Sequence, residues 1–466
     1  MGEVSNRSPN GSVGEQQRDV DTKKSKKTFK PLPSRQFEVR DSLLVVICQD
    51  PHIKVVKNIF AASLVGLFLS TVVHDWLERG EFKIGYKVIT AGFGGFHWVI
   101  LIWLMINLGV ILAYFCFNIW ANIRINFPPK AQNKRVWDTV WLVALIAYYI
   151  LQFRVSSVMV WKLELAIVSS AIVCLEQTRL LMKVHAFVRS NAEKVLNYKS
   201  HSEKKLQLPS FRHYIFFLFA PTIVYADQYP RTKIIRWNLV LEKVVELVGV
   251  VFYYAFLLER FIIPTHQDIG LRQFTLSEVI VLIFDNFAVG LMFLLLGFYV
   301  VLDTTQNLVG ELMKFGDRQF YLAWWTATNY SMYFKTWNLV VGDWLYTYIY
   351  KDLYEYVIPG NKTAAKLTVF IISAIVHEWA LTYMFGFLFP ALFIAFSFVA
   401  MFLSSFRLPK LNIVNVIFWY LLAFGSGVLV CLYTLEWFVR RNMPVESTSL
   451  KDFIVPRLFT CGCVSI

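Results

Sequence analysis

The chain has 466 residues, 56% of them hydrophobic, 17% aromatic and only 17% charged, with a net charge of +14. Ordinary soluble domains hold about 45–50% apolar and about 25% charged residues, so a soluble, a disordered and a disulfide-stapled protein are all excluded. The basic residues stand among apolar runs and aromatics, which argues against a nucleic-acid partner and for loops that meet anionic lipid headgroups or acidic cosubstrates.

Residues 1–42 are rich in Ser, Asn, Gln, Lys and Arg and carry the cluster Lys23, Lys24, Lys26 and Lys27. Such a segment buries too little apolar surface to fold alone, so a disordered basic cytosolic tail is expected. No cleavable leader pattern opens the chain, and the first apolar run must itself direct insertion. Apolar runs of spanning length follow at 57–76, 97–117, 136–153, 156–175, 239–262, 276–302, 364–386, 388–405 and 414–437. The expected fold is therefore all-α and polytopic, with about nine transmembrane helices at ~20 residues each. The stretches near 211–225 and 320–350 are apolar but interrupted by Pro221, Asp227, Pro230, Lys335, Asp343 and Asp352. They are expected as re-entrant or interfacial helices enclosing an internal cavity, because irregular backbone at membrane depth must be covered by protein. The embedded domain is set at 43–440, with 441–466 as a short C-terminal tail. The segment 176–213 is strongly basic and is expected as a cytosolic helix followed by a loop.

Of eight histidines, only His377 lies deep in an apolar span, in VFIISAIVHEWALTYMF. An ionisable group at that depth marks a function or a buried partner. Desolvation disfavours an imidazolium there, so a buried, neutral ring is expected, the form that acts as a general base. Ser373 and Ala374, one turn back, leave room beside it. The second feature is the polar and aromatic stretch 315–352, expected to wall the cavity. With helices on both sides of the Pro359-Gly360 turn, Asn338 lies 21 residues before Pro359 and His377 lies 18 after it. Their depths then differ by only ~4.5 Å. No GxSxG elbow, P-loop, HExxH or CxxC pattern occurs, so covalent serine and zinc chemistry lack support and no metal is expected. The six cysteines show no paired metal-ligand spacing and read as buried thiols.

His377 in ISAIVHEW and Asn338 in TWNLVVGDWLYTYIYKD, together with LEQTRLLMKVHAFVRSNAEKVLN, FLFAPTIVYADQYPR and FGDRQFY, resemble the membrane-bound O-acyltransferase superfamily. The wording is most similar to its sterol-acylating branch, and it extends over nearly all of the chain after residue 40. The resemblance implies transfer of a long-chain acyl group from acyl-CoA to a sterol 3-hydroxyl in the endoplasmic-reticulum membrane. It implies His377 as base, Asn338 as donor to the thioester oxygen, no acyl-enzyme, and no cofactor beyond acyl-CoA. Phe320, Tyr321, Trp324, Trp325, Trp337, Trp344, Ser373 and Trp379 would shape the substrate tunnel. Arg179, Lys183 and His185 would face the CoA phosphates, and a homodimer or homotetramer is expected. Two departures stand out: Ala323 and Thr326 replace the Asp and the final Asn of the FYxDWWN motif, and Gly342 replaces the His of the VHDW element. Three rivals follow from the same residues: acylation of diacylglycerol or another lipid alcohol, an impaired sterol-binding homologue, and a transporter relaying protons through His377, Asp285 and Asp303.

Overall fold

Twelve helices organise the chain in a computed structural model whose described residues are 32–80, 84–128, 133–198, 206–406, 409, 411–445 and 450–465. They are α1 Pro51–Arg79, α2 Phe96–Asn126, α3 Asn133–Lys162, α4 Ile167–Leu196, α5 Phe211–Phe219 and α6 Trp237–Leu257. After these come α7 Leu276–Phe298, α8 Tyr330–Trp337, α9 Leu339–Trp344, α10 Lys362–Phe385, α11 Ala391–Ser404 and α12 Asn412–Asn442. The basic cluster at Lys23–Lys27 lies outside the described residues. Residues Ser34–Ile466 form one compact unit.

Among the described residues seven helices are long and apolar enough to cross a membrane: Pro51–Glu78, Tyr86–Asn126, Asn133–Lys162, Trp237–His266, Leu276–Leu312, Lys362–Phe385 and Asn412–Asn442. The protein is a multi-pass membrane protein. Two of the nine expected runs take other forms. The run 156–175 straddles the end of α3, a turn at Glu164 with φ +47°, and the start of α4. The run 388–405 becomes α11, too short to span alone. In the basic segment 176–213 the helix part is the second half of α4, which runs to Leu196, and α5 begins at Phe211.

Local chemistry sets the helix ends. Asp50 caps α1 by accepting from the His52 N–H at 2.8 Å, Pro51 occupies the first turn, and Gly80 closes the helix in the left-handed region at φ +66°. At the start of α7, Thr275 and Glu278 form a reciprocal capping box. The tightest helix crossing joins α7 to α12, where a Cβ on Gly290 would stand 2.4 Å from the Gly427 nitrogen. Only glycine permits that approach, as in other membrane helix pairs built on small residues. Gly290→Leu is expected to force the two helices apart and to yield no monodisperse protein on size exclusion in detergent.

The end of the expected tail is ordered. Arg40 donates its N–H to the Gly316 carbonyl at 2.9 Å, and the Arg318 N–H returns to the Arg40 carbonyl at 3.0 Å. Arg40 pairs with the buried Asp317 at 2.8 Å, and Arg35 reaches both Asp317 and Asp343. The chain from Ser34 onward is thus strapped across the polar-aromatic stretch. At the other end, Val464–Ser465 pairs in parallel with Phe274–Thr275, and a disulfide joins Cys461 to Cys463. Those two cysteines are therefore not free thiols, whereas Cys174 and Cys431 are free and buried.

Candidate active site

Asn338 does not sit inside a helix, as the depth estimate assumed. It is the extended residue, φ −138° and ψ 94°, at which α8 stops and α9 starts. Its Oδ1 accepts the Val341 N–H at 3.0 Å, the N-cap role that asparagine fills well. Its backbone position is fixed from the side, because the Leu339 N–H donates to the Phe320 carbonyl at 2.9 Å and the Leu322 N–H to the Thr336 carbonyl at 2.8 Å. With Oδ1 committed to the cap, the two Nδ2 protons have no partner among the described residues. They are amide donors that the fold leaves uncommitted.

His377 is exposed, which corrects the expectation of a buried ring. The direction of that exposure matters. At 100° per residue His377 stands ~60° around α10 from the buried Ala374 and ~100° from the buried Glu378. On the inward side α10 packs on α4 and on the continuation of α9. The His377 ring stacks on Phe396 of α11 at 5.6 Å, and Phe396 in turn meets Phe334 at 4.9 Å. Phe334 is one turn before Asn338 on α8 and also touches Phe370 of α10 at 5.2 Å. One aromatic set, Phe334, Phe370 and Phe396, therefore joins the helix that carries the imidazole to the helix that ends in the amide. Small residues leave the space: Ser373 precedes His377 by one turn, and a Cβ built on Gly342 meets nothing within 4 Å.

The ring's tautomer follows from its neighbour. Nδ1 lies 2.7 Å from the Ser373 carbonyl oxygen, which can only accept, so Nδ1 carries the proton. In the neutral ring Nε2 then holds the free lone pair. The adjacent Glu378 fixes the rotation of α10. It is buried, and its carboxylate accepts the Tyr433 hydroxyl at 2.9 Å and the Phe393 N–H at 2.9 Å, which ties α10 to α12 and α11. The sequence reading passed over Glu378 and the three phenylalanines. An acidic residue in the same apolar span as His377 was the available signal, since a buried carboxylate needs partners.

The remaining candidates separate into packing groups. Phe320, Tyr321 and Trp324 are buried in a cluster with Phe298, Trp337 and Trp419, and Trp324 lies 4.6 Å from Trp337 and 4.9 Å from Phe298. The Tyr321 hydroxyl donates to Asp303. The Trp325 carbonyl accepts from the Trp419 indole at 3.1 Å. Trp344 donates its indole N–H to the Met182 carbonyl at 2.9 Å, and Trp379 packs on Phe153 of α3 at 4.3 Å. Asp303 is fully buried against Lys243 at 2.8 Å, whereas Asp285 is exposed on α7, so the members of the proton-relay rival sit in unlike surroundings.

The trio expected to face CoA phosphates is turned inward. Lys183 is 1% exposed, and its Nζ donates to the carbonyls of Phe217, Leu218 and Ala220 at 2.6, 2.8 and 2.7 Å. Three acceptors match the three N–H bonds of an ammonium, and they lie at the negative end of α5. Arg179 joins the same cap through Leu218 at 2.7 Å and pairs with Glu176 at 2.6 Å. His185 meets the Tyr149 hydroxyl at 3.3 Å, and burial holds its imidazole below the usual histidine range. A lysine in a helical run reads as surface from composition alone; its cap becomes visible only once α5 is folded against α4. Lys183→Met is expected to orphan the Phe217 carbonyl, while the Leu218 carbonyl keeps Arg179 and the Ala220 carbonyl keeps the Thr222 N–H at 2.8 Å, and to cost about 1–3 kcal/mol of stability, read as a lowered melting temperature in detergent.

Comparison with known proteins shows the family. Residues 93–435 match the model of the MBOAT, membrane-bound O-acyltransferase family. The chain is 35% identical over 439 residues to sterol O-acyltransferase 1 of Mus musculus, covering 93% of this chain and 80% of the relative. It is 30% identical over 449 residues to sterol O-acyltransferase 2 of Rattus norvegicus, covering 95% of this chain and 83% of that relative. A match of that extent, with the His377 and Asn338 motifs inside it, identifies the chain as a member of the membrane-bound O-acyltransferase family.

Proposed function

We propose that the protein transfers a long-chain acyl group from acyl-CoA to the 3-hydroxyl of a sterol. The acceptor class is supported by the relatives, which are named sterol O-acyltransferases and cover 93% of this chain. The observation that carries the chemistry is the His377 Nδ1 bond to the Ser373 carbonyl, because in the neutral ring it leaves Nε2 as the nitrogen free to take a proton, in a ring that stacks on Phe396 of α11.

The step needs no covalent enzyme intermediate. Nε2 of His377 takes the proton of the sterol hydroxyl as its oxygen attacks the thioester carbonyl carbon. The oxyanion that forms accepts hydrogen bonds from Nδ2 of Asn338, a neutral donor held rigidly by its own cap. Collapse breaks the carbon–sulfur bond, and the imidazolium returns its proton to the CoA thiolate. Phe334, Phe370 and Phe396 form the apolar wall against which the acyl chain and sterol body lie. The reading places the enzyme in the endoplasmic-reticulum membrane with its basic amino-terminal tail in the cytosol, where acyl-CoA is available.

Purified protein given labelled oleoyl-CoA with a sterol and a diacylglycerol in equal amounts tests the acceptor. Steryl ester is the expected product. Triacylglycerol alone would transfer the mechanism to another lipid alcohol, and sterol binding without either product would mark the impaired homologue that Ala323, Thr326 and Gly342 raise.

A further inference from the structure

One arginine closes the segment that carries Asn338. Arg35, on the strap that crosses the polar-aromatic stretch, has a side chain only 15% exposed and forks between two carboxylates. One terminal guanidinium nitrogen donates to Asp317 at 3.2 Å and the other to Asp343. Asp317 opens the segment 317–343 and Asp343 ends it, with Asn338 between them. Inside the segment the two limbs are joined by the Leu322–Thr336 and Leu339–Phe320 backbone bonds. The Arg35 fork adds a tie from outside. The strap itself is secured independently, because Arg40 holds Asp317 at 2.8 and 3.1 Å and Phe37 packs edge-on against Tyr229 at 5.2 Å.

Asp343 stands five residues after Asn338, ~7.5 Å along α9 and ~140° around it. Arg35 therefore grips α9 from the side away from the amide. A second anchor follows at once, the Trp344 indole bond to the Met182 carbonyl at 2.9 Å. With one anchor a helix of six residues can pivot, whereas two on neighbouring faces fix its rotation and with it the direction of the Asn338 Nδ2 protons. A guanidinium suits this task because its donors form a rigid planar fork that matches carboxylates. The same geometry argues against a phosphate site at Arg35. Both terminal nitrogens are taken, and the space beside the buried, unpartnered Nε is about 10 Å³, the size of one water molecule.

We infer that Arg35 is a positioning residue for acyl transfer, which through Asp343 sets the orientation of α9 and so aims the Asn338 amide at the thioester oxygen. The inference rests on the acyl-transfer reading, in which Asn338 is the oxyanion donor. It gives the chain ahead of the first membrane span a part in the reaction.

A double-mutant cycle in the full-length protein tests it, with steady-state acyl transfer from oleoyl-CoA to a sterol and the melting temperature measured for each variant. Arg35→Gln leaves Asp317 paired with Arg40 and returns Asp343, 27% exposed, to solvent, so the fold is expected to persist. It should lower kcat about tenfold with KM for oleoyl-CoA unchanged, as for a reacting group displaced by part of an ångström. Asp343→Ala cuts the same tie from the other end and should match it. In an Asn338→Asp background Arg35→Gln should cost nothing further, because the donor it aims is already gone. A wild-type kcat in Arg35→Gln or Asp343→Ala, beside a slow Asn338→Asp, would overturn the inference and leave the acyl-transfer reading standing. So would a raised KM for oleoyl-CoA at constant kcat, which would make Arg35 a cosubstrate contact. The same loss in both backgrounds would make its role structural and overturn it too. Near wild-type activity in Asn338→Asp would remove the amide from the acyl-transfer reading, and the inference with it.

Discussion

His377→Ala is expected to lower acyl transfer by about 10²–10⁴-fold while leaving the protein inserted and folded. The imidazole is exposed, bonds only its own preceding turn through the Ser373 carbonyl, and stacks on one ring, Phe396. Removing it therefore costs little stability, within about 0.5 kcal/mol as for other exposed sites. Its neighbour provides the contrast. Glu378→Ala would strand the Phe393 N–H and cut the tie to Tyr433, whose hydroxyl keeps the Phe389 carbonyl at 2.8 Å, and should lower the melting temperature as well as the rate. Acyl transfer in membranes, measured beside thermal stability in detergent for both variants, checks this. A His377→Ala protein with near wild-type turnover would remove the base from the mechanism.

The second large effect separates two jobs of one side chain. Asn338→Asp keeps an oxygen to accept the Val341 N–H, so the start of α9 stays capped. It loses both amide protons and places negative charge beside a developing oxyanion. The rate should fall by about 10²–10³-fold with stability near wild type. Asn338→Ala loses the cap too and should add about 1 kcal/mol of destabilisation. Equal stability of the Ala and wild-type proteins would contradict the cap, and an active Asp variant would reduce Asn338 to a structural residue.

Much of the fold was legible because hydrocarbon thickness imposes a length that apolar runs must match. The runs at 57–76, 97–117, 239–262, 276–302, 364–386 and 414–437 all lie in spanning helices. The reading failed where burial by protein substitutes for lipid. In α4 the polar side of a thirty-residue helix is satisfied by partners distant in sequence: Lys183 by the end of α5, and Arg189 by Asp352 at 2.8 Å. Composition cannot distinguish such residues from the solvated face of a cytosolic helix. In the same way, Asn338 has the residue type of an N-cap, but the break before it is set by Phe320 and Leu322 holding the chain from the side. The aromatics of 320–325 were visible as a group, while Phe396, which meets His377, and Phe370, which meets Phe396 and Phe334, came from spans that read as plain lipid-facing helix. Gly290 and Gly427 carry no periodic signal, and their closeness is a property of the crossing alone.

A rapid-quench single turnover tests the central claim most directly: purified protein is mixed with acyl-labelled oleoyl-CoA and sterol, and the label is followed among thioester, protein and ester. Direct attack by the alcohol predicts that label passes from CoA to steryl ester with none bound to protein, at a rate cut by His377→Ala. Label accumulating on the protein before any ester appears would contradict it.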